Sequence, residues 1–239
     1  MILGAVCARG GSQGVPKKAL RKLLNRHLIG IAIECGLNCP EIDALVVSTD
    51  DIKIAEIAQQ YGAHITALRP AELAKNTTPK WHVFRHIVDE WESVHKQHVE
   101  ILVDLDLCVP LRQSQDISKC IHTLHTTDAE VVVTAFKPNR NPYFNMVEKT
   151  SHSGYQIVKP PLNPVHNRQQ APVVFGLSPA VYVIYHDALQ KYDHWSQARM
   201  EIVELPISRA WDIDEELDFK IVELLAKTGD MFDEPNENR

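Results

Sequence analysis

The first stretch of the chain whose residue types suggest chemistry is a glycine-rich loop. Residues 1–7 are apolar, which is typical of a strand buried on both faces, and they lead into Ala8-Arg9-Gly10-Gly11-Ser12-Gln13-Gly14. Glycines leave no Cβ in the way of a ligand, and consecutive N–H groups in such a loop form a concavity that binds anions. Arg9, Lys17 and Lys18 add positive charge, and Ser12 offers a hydroxyl donor. The pattern predicts a phosphate-binding loop; a tight turn with solvated basic side chains is the alternative.

A pair of carboxylates near the other end of the chain suggests a metal site. Asp212 and Asp214 lie between a predicted strand and a predicted helix. In extended backbone, side chains two residues apart point the same way, and two such carboxylates suit Mg²⁺ with phosphate oxygens completing its shell. The alternative is that Asp214 only caps the helix, where Glu215 and Glu216 would also be favoured by the helix dipole.

The elements that must position these residues alternate between strand and helix, which favours βαβ units. We expect an α/β fold with a doubly wound, mostly parallel sheet in one domain over 1–228, an inserted arm at 137–172 and a flexible tail at 229–239. The last helix is expected to bury Leu217, Ile221 and Leu224. Predicted strands cover 1–7, 44–48, 63–67, 99–105, 130–136, 181–185 and 201–205, and predicted helices include 27–37, 116–126 and 214–225.

Residues 137–172 interrupt this alternation. The segment holds six prolines and one plausible hairpin, in which 146–147 pairs with 157–158. A long segment without helices is usually a functional loop or an interface arm, and its apolar side chains need cover. We expect that cover to come from a second copy of the chain in a homodimer; a lid that folds over its own cleft is the alternative.

Composition narrows the partners and the compartment. A net charge of −6 and a pI near 6.0 argue against general affinity for nucleic acid or for an anionic membrane. No apolar stretch reaches the length of a membrane span, and the N-terminal residues lack the basic lead of a signal peptide. The five cysteines, in apolar surroundings, are interpreted as free thiols. We therefore expect a cytoplasmic protein with no nucleic-acid or membrane partner.

The loop and three later stretches resemble a known family. The pattern A-R-G-G-S-x-G-x-P-x-K after a strand is similar to the start of cytidylyltransferases that activate acidic sugars, the CMP-sialate synthetase type. The fold implied is that of nucleotide-diphospho-sugar transferases. The later stretches that agree in order and spacing are Val47–Asp50, Leu68–Ala74 and Trp211–Phe219.

The resemblance implies an enzyme that joins CMP from CTP to a 3-deoxy-ulosonic acid, of the sialic or legionaminic type, and releases pyrophosphate. It implies Mg²⁺ on Asp212 and Asp214, with Arg9, Lys18 and Asp214 active in catalysis. It also implies dimerisation through the arm. The implied nucleotide-binding residues are Ala8, Arg9, Gly10, Gly11, Ser12, Lys18 and Arg69, and the implied sugar-binding residues are Asp106, Arg168, Gln170 and Tyr182.

The chain also departs from the family pattern. Gln13 stands where many relatives have Lys, Ala19 where they have Asn, and Ser178-Pro179 where Asn-Gly or Asn-Ala is usual beside the sugar. The Asp-Leu-Asp entry to the motif ending in Pro110-Leu111-Arg112 is more similar to the legionaminate-type enzymes. These departures leave two alternatives open: a catalytically impaired nucleotide-binding homologue in regulation or assembly, and a nucleotidyltransferase for a different sugar.

Overall fold

The computed structural model describes residues 1–11, 14–151 and 154–228. None of the helices within these ranges is long and apolar enough to cross a bilayer. The helices are α1 (Leu28–Leu37), α2 (Ile52–Gln60), α3 (Lys80–His95), α4 (Ser114–Thr126), α5 (His186–Lys191) and α6 (Glu216–Lys227). The strands are β1 (Ile2–Cys7), β2 (Lys22–Leu23), β3 (Arg26–His27), β4 (Ala44–Ser48), β5 (Ile101–Asp104), β6 (Val131–Phe136), β7 (Val147–Lys149), β8 (Tyr155–Ile157), β9 (Gly176–Tyr185) and β10 (Met200–Glu204).

The central sheet has six strands in the order β10-β6-β9-β5-β1-β4. β1 pairs in parallel with β4 and β5, and β10 pairs in parallel with β6, whereas β9 runs antiparallel to both of its neighbours. The prediction of a mostly parallel α/β sheet is therefore confirmed. The order reverses direction next to β1, so that the loops after β1 and β5 open on the same edge, where ligands bind in open α/β sheets.

Helices cover both faces of the sheet, as the doubly wound prediction requires. Alternate residues of β1 enter two separate cores: Val6 packs with α1, α2, α4 and α6, whereas Leu3 and Ala5 pack with α3 and α5. This alternation follows from the two-residue period of a strand. Strands that are buried on both faces have continuous apolar sequences, which is why β1 and β4 could be predicted from the sequence.

The predicted inner face of the last helix is wrong. Leu217 and Leu224 are each 64% exposed, and the buried positions of α6 are Phe219, Val222 and Ala226. Both sets recur at helical spacing, so the sequence pattern fits either phase. The Arg21 guanidinium lies 4.0 Å from the ring centre of Phe219 and covers it. This contact helps to hold α6 with Phe219 on its inner face.

Two strand predictions also need correction. The predicted strand at 63–67 is reduced to a single parallel bridge between Val46 and His64. In contrast, β9 begins five residues earlier than the predicted 181–185. The predicted start was late because Pro179 discourages a central strand; the pairing of β9 with β6 is irregular between Val133 and Ala135, and such an irregularity accommodates a proline.

The inserted arm leaves the sheet after β6 and returns at β9. Its predicted hairpin is confirmed, since Val147 pairs with Ile157 in the antiparallel strands β7 and β8. Its apolar side chains remain largely uncovered within the single chain: Val147 is 59% exposed and Tyr155 is 73% exposed. The tail 229–239 lies outside the described residues.

Candidate active site

A cleft of about 610 Å³ opens at the carboxyl ends of β1 and β5. The glycine loop, the segment after β4, the start of α3, the loop after β5 and the segment before α6 all reach it. Several predicted site residues therefore meet in one place although they are distant in sequence. The lining residues with polar or charged side chains are Arg9, Lys18, Arg69, Lys75, Asn76, Thr78, Lys80, Asp106, Cys108, Asp214 and Glu215.

The glycine loop approaches neighbouring chain segments too closely for side chains at two positions. The Gly10 N–H donates to Asp50 Oδ1 at 3.0 Å, and a Cβ at Gly10 would come within 3.1 Å of the Asp51 Cβ. A Cβ at Gly14 would overlap the carbonyl oxygen of Asp214. Gly11 has open space around it. The end of the loop is therefore packed against the segment that carries the aspartate pair, and Ala8, Arg9 and Gly14 line the cleft. Ser12 and Gln13 lie outside the described residues.

The basic residues predicted for the nucleotide lie around this loop. Ala8 lines the cleft at the end of β1, and the Arg9 guanidinium donates to the Asn76 side chain. Arg69 is almost fully buried and donates from Nε to Ser48 Oγ at 2.9 Å and from Nη2 to Ser48 O at 2.6 Å. Arg69 is thus fixed to the end of β4 while still lining the cleft.

Lys18 connects the loop to the aspartate pair. Its side chain is 11% exposed, and Nζ lies 3.3 Å from Cys108 Sγ and 3.8 Å from Asp214 Oδ1, and donates to the carbonyl of Ile213. A buried ammonium keeps its charge only beside such acceptors. The Lys18 ammonium therefore contacts both the loop after β5 and the segment that carries Asp214.

Asp214 does not cap the final helix. α6 begins at Glu216, and the Asp218 carboxylate accepts from the backbone N–H of Asp214 at 3.0 Å and of Glu215 at 2.8 Å. The N-cap is Glu215, which forms a capping box with Asp218, and the Asp214 side chain, 77% exposed, stays available to a ligand. The capping alternative for Asp214 is wrong.

Asp212 is a carboxylate in an unfavourable environment. Burial and repulsion by Asp106 and Asp214 raise the pKa of Asp212 to about 7, and Oδ1 is buried without a hydrogen-bond partner among the described residues. An orphaned buried carboxylate oxygen beside two further carboxylates is the arrangement that a hard divalent cation relieves. The residues present therefore fit Mg²⁺.

Lys80 is the cleft residue that the sequence reasoning missed. It is the first residue of α3, and its Nζ lies 2.6 Å from Asp104 Oδ2 and 2.9 Å from Asp106 Oδ2. Burial alone would lower the pKa of Lys80, but attraction by the two aspartates outweighs it and raises that pKa. The available signal was Asp-Leu-Asp, since acids at i and i+2 at the end of a buried strand need a cation.

The two aspartates beside Lys80 differ in environment. Asp104 is fully buried, which raises its pKa despite Lys80, and its Oδ1 has no partner within the described part of the chain. Burial would also raise the pKa of Asp106, but Lys80 and the Cys108 N–H, 3.0 Å from Oδ1, lower it to about 2. Asp106 is therefore a fixed, ionised acceptor at the cleft.

The Pro-Leu-Arg ending of this motif holds the loop that carries Asp106. The Arg112 guanidinium is buried and donates from Nη1 to the carbonyls of Asp106 and of Val109. The same loop is joined to the segment before α6, because the Ile213 N–H donates to the Cys108 carbonyl at 2.9 Å. Arg112 thus contributes by positioning the loop.

The predicted sugar-binding residues divide into two groups. Tyr182 lies on β9 opposite Asp104, with its ring centre 5.9 Å from Lys80 Nζ, so it is close to the cleft. Arg168 donates to the Pro138 carbonyl at 3.0 Å, and the Gln170 side chain accepts from the His166 N–H at 3.2 Å. Arg168 lines a separate cavity at the base of the arm, so the single chain does not bring Arg168 and Gln170 to the cleft.

Ser178 is not among the residues that line the cleft. It is buried in β9, its hydroxyl donates to the Ala210 carbonyl at 3.1 Å, and its own carbonyl accepts from Thr134 Oγ1 at 2.8 Å. The departure from the family pattern at this position is therefore a change within the core. It gives no reason to expect impaired catalysis.

The Lys80 cluster gives a stability prediction. Lys80→Met leaves the buried Asp104 unpaired, which should lower the free energy of unfolding by about 2–3 kcal/mol, reduced from the 3–5 of a wholly buried pair because Lys80 is 37% exposed. Adding Asp104→Asn should restore most of it, since the fully buried charge is then gone and the partly exposed Asp106 keeps the Cys108 N–H as a donor. Urea unfolding measures both. The matched control is Lys191→Met, which removes an exposed lysine 3.4 Å from Glu130 and should change little; equal losses in both single variants would contradict the assignment.

Comparison with known proteins supplies the family. The "Cytidylyltransferase" family model matches residues 3–207. The chain is 38% identical over 224 residues to a CMP-N,N'-diacetyllegionaminic acid synthase of Campylobacter jejuni, covering 94% of each chain, and 35% identical to the post-translational flagellin modification protein B of Campylobacter coli, covering 95% of each. A solved CMP:2-keto-3-deoxy-manno-octonic acid synthetase complexed with CTP shares the fold, with a TM-score of 0.64 at 16% identity over 95% of this chain and 98% of that one. The chain is therefore a nucleotidyltransferase that belongs to the cytidylyltransferase family.

Proposed function

We propose that this protein forms a CMP-sugar from CTP and a 3-deoxy-ulosonic acid of the legionaminic or sialic type, with release of pyrophosphate. The observation that carries the proposal is that the glycine loop and Asp214, one of the aspartate pair, share one cleft, joined by Lys18 and by the close approach of Gly14 to Asp214. A reaction between a triphosphate and a sugar acid needs these two features side by side.

The nucleotide end of the cleft accounts for the first substrate. The backbone at Gly11, with Arg9 and Lys18, can hold the β- and γ-phosphates and stabilise the charge that develops on pyrophosphate as it leaves. Arg69, fixed to the end of β4, can meet the cytidine. The reaction needs no protein nucleophile, because the sugar hydroxyl attacks the α-phosphate directly and positioning supplies much of the rate.

Asp212 and Asp214 would hold Mg²⁺ beside the α-phosphate. When bound, the ion neutralises charge on the attacking and leaving oxygens. The unpartnered Asp212 Oδ1 and the freely exposed Asp214 carboxylate support this role. Lys18, 3.8 Å from Asp214, would keep that carboxylate oriented and meet the phosphates at the same time.

Asp106 and Tyr182 supply contacts for the sugar. An Asp106 carboxylate held ionised by Lys80 accepts hydrogen bonds, so it suits hydroxyl or N-acyl N–H groups and would repel the sugar's own carboxylate. This preference agrees with an N-acylated sugar, which the names of the Campylobacter jejuni relative and of the N-acylneuraminate cytidylyltransferase A of Danio rerio describe for those proteins. The sugar carboxylate then requires another cation.

A homodimer would supply that cation. Arg168 and Gln170 lie on the arm, away from the cleft of their own chain, and the β7–β8 hairpin exposes apolar side chains. If the arm crosses to a second copy, these side chains are covered, and Arg168 can reach the partner's sugar pocket. We also propose that the enzyme acts in the cytoplasm, since the five cysteines, all within the described residues, are thiols and not disulfides.

The first test is a pyrophosphate-release assay with CTP and a panel of acids: N,N'-diacetyllegionaminic acid, N-acetylneuraminic acid and 2-keto-3-deoxy-manno-octonic acid. We expect the highest kcat/KM for an N-acylated acid, because Asp106 accepts from N–H donors. Turnover only with the octonic acid would contradict the substrate class. Tight CTP binding without turnover on any acid would support the impaired homologue instead.

A second prediction concerns the metal. Asp212→Asn and Asp214→Asn should each lower kcat by roughly 10²–10³-fold with a modest loss of CTP affinity, because the interaction matters most in the transition state. Mg²⁺-dependent turnover and CTP titration measure the two effects separately. Glu216→Gln is the matched control, since Glu216 pairs on the surface with Arg21. Near-normal kcat in both aspartate variants would rule out the assignment.

A third prediction concerns the arm. The intact protein, with a chain mass of 27.0 kDa, should scatter light as a dimer, and replacing residues 147–158 by a short flexible linker should give a monomer. Arg168→Ala should raise KM for the acid while leaving CTP affinity unchanged and the dimer intact. An intact protein that scatters with the mass of one chain would exclude the dimer.

A further inference from the structure

A second group of metal-ligating side chains lies at the opposite edge of the sheet from the cleft. Glu92 is in the last turn of α3, His98 precedes β5 and His186 begins α5 directly after β9. One ligand atom from each of the three lies within 4.8 Å of those of the other two. Because Asp104 is at the carboxyl end of β5 and His98 precedes its start, this group is separate from the aspartate pair.

The chain segments that carry the three residues are fixed by hydrogen bonds. Glu92 Oε1 accepts from the Val99 N–H and from His98 Nδ1, both at 2.8 Å. The His98 carbonyl accepts from the N-terminal ammonium of Met1 at 3.1 Å, and the His186 N–H donates to the Glu100 carbonyl at 2.9 Å. Backbone hydrogen bonds therefore hold the chain segments that carry the three side chains, and Glu92 and His98 are also joined directly.

The imidazole of His186 has an acidic neighbour of the kind that orients metal-ligating histidines. Asp187 Oδ1 lies 3.6 Å from His186 Nδ1, so a small rotation lets Nδ1–H donate to it and leaves Nε2 as the ligand. The rings of His98 and His186 meet edge to face with centres 4.8 Å apart. His98 is 67% exposed, which leaves the group open to solvent and to an entering ion.

The surroundings favour a cation. A cleft of about 430 Å³ beside the two histidines is also lined by the carboxylates of Glu100, Glu130 and Asp187. Negative potential from these groups raises the local concentration of cations. Glu130 is engaged by Lys191, Arg199 and Tyr192, so it contributes charge without being a free ligand.

We propose that Glu92, His98 and His186 form a binding site for a first-row transition-metal dication, for which Zn²⁺, which has no redox chemistry, is the probe. Two imidazoles and one carboxylate are the ligands these ions prefer, whereas Mg²⁺ and Ca²⁺ select oxygen ligands. Water completes the shell. The bound ion ties the end of α3, the entry to β5 and the start of α5 together, so its role is to stabilise the fold around the N-terminus.

The experiment is calorimetric titration of the full chain with ZnCl₂ in a non-chelating buffer containing excess Mg²⁺, which keeps the aspartate pair occupied. We expect one Zn²⁺ per chain and a rise of several degrees in Tm at saturation. Co²⁺ gives a second readout: visible absorption of a site with nitrogen and oxygen ligands, without the near-ultraviolet charge-transfer band that a thiolate would add. Such a band would show a cysteine site and overturn the proposal.

Variants decide which residues bind. His98→Ala, His186→Ala and Glu92→Gln should each weaken Zn²⁺ binding by about 100-fold or more and abolish the rise in Tm, with cytidylyltransferase activity unchanged. His98→Ala removes an exposed side chain, so it keeps the test valid if another variant fails to fold. The matched control is His82→Ala/His86→Ala, which removes two histidines one turn apart on α3. Loss of Zn²⁺ binding in that control but not in His98→Ala, or no Zn²⁺ binding by the intact protein, overturns the proposal.

Discussion

The cleft depends on a group of buried carboxylates whose charge the neighbouring lysines balance only in part. Asp104, Asp106 and Asp212 converge at the carboxyl end of the sheet, and Lys80 and Lys18 are the lysines among them. Lys80 is committed to Asp104 and Asp106, which leaves Asp212 with a raised pKa and an unpartnered oxygen. The proposed divalent cation, arriving with the nucleotide, would complete this balance.

The same balance explains why the glycine loop lies where it does. Gly14 contacts the backbone of Asp214, and Lys18 reaches the Ile213 carbonyl from the other side of the loop. The proposed phosphate-binding loop and the proposed metal-binding aspartates are therefore packed against each other. A change in either is transmitted to the other through contacts that have no room for a side chain.

The two edges of the sheet serve different purposes. At the carboxyl edge, polar side chains remain incompletely paired and open to ligands, which is the usual condition of an active site. At the other edge, the Glu92–His98 pair and the N-terminal ammonium close the end of the core around Val99. The arm belongs to neither edge, and its exposed apolar side chains are those that the proposed dimer would cover.

The sequence by itself determined the elements whose signal is local. β1 and β4 follow from apolar runs, and the glycines predict the loop after β1. It also indicated Asp212 and Asp214 as a pair. The predictions that were wrong concern features set by packing against distant segments. They are the buried face of α6, the start of β9 and the strand expected at 63–67.

Only the tertiary structure decided which distant residues share the cleft. Lys80 carries no local signal of function, because a lysine at the start of a helix is ordinarily solvated; its role comes from two aspartates 24 and 26 residues later in the chain. The same reason separates Arg168 and Gln170 from the cleft of their own chain and assigns Ser178 to the core. Residue type and spacing fix what a side chain can do, whereas long-range packing fixes what it meets.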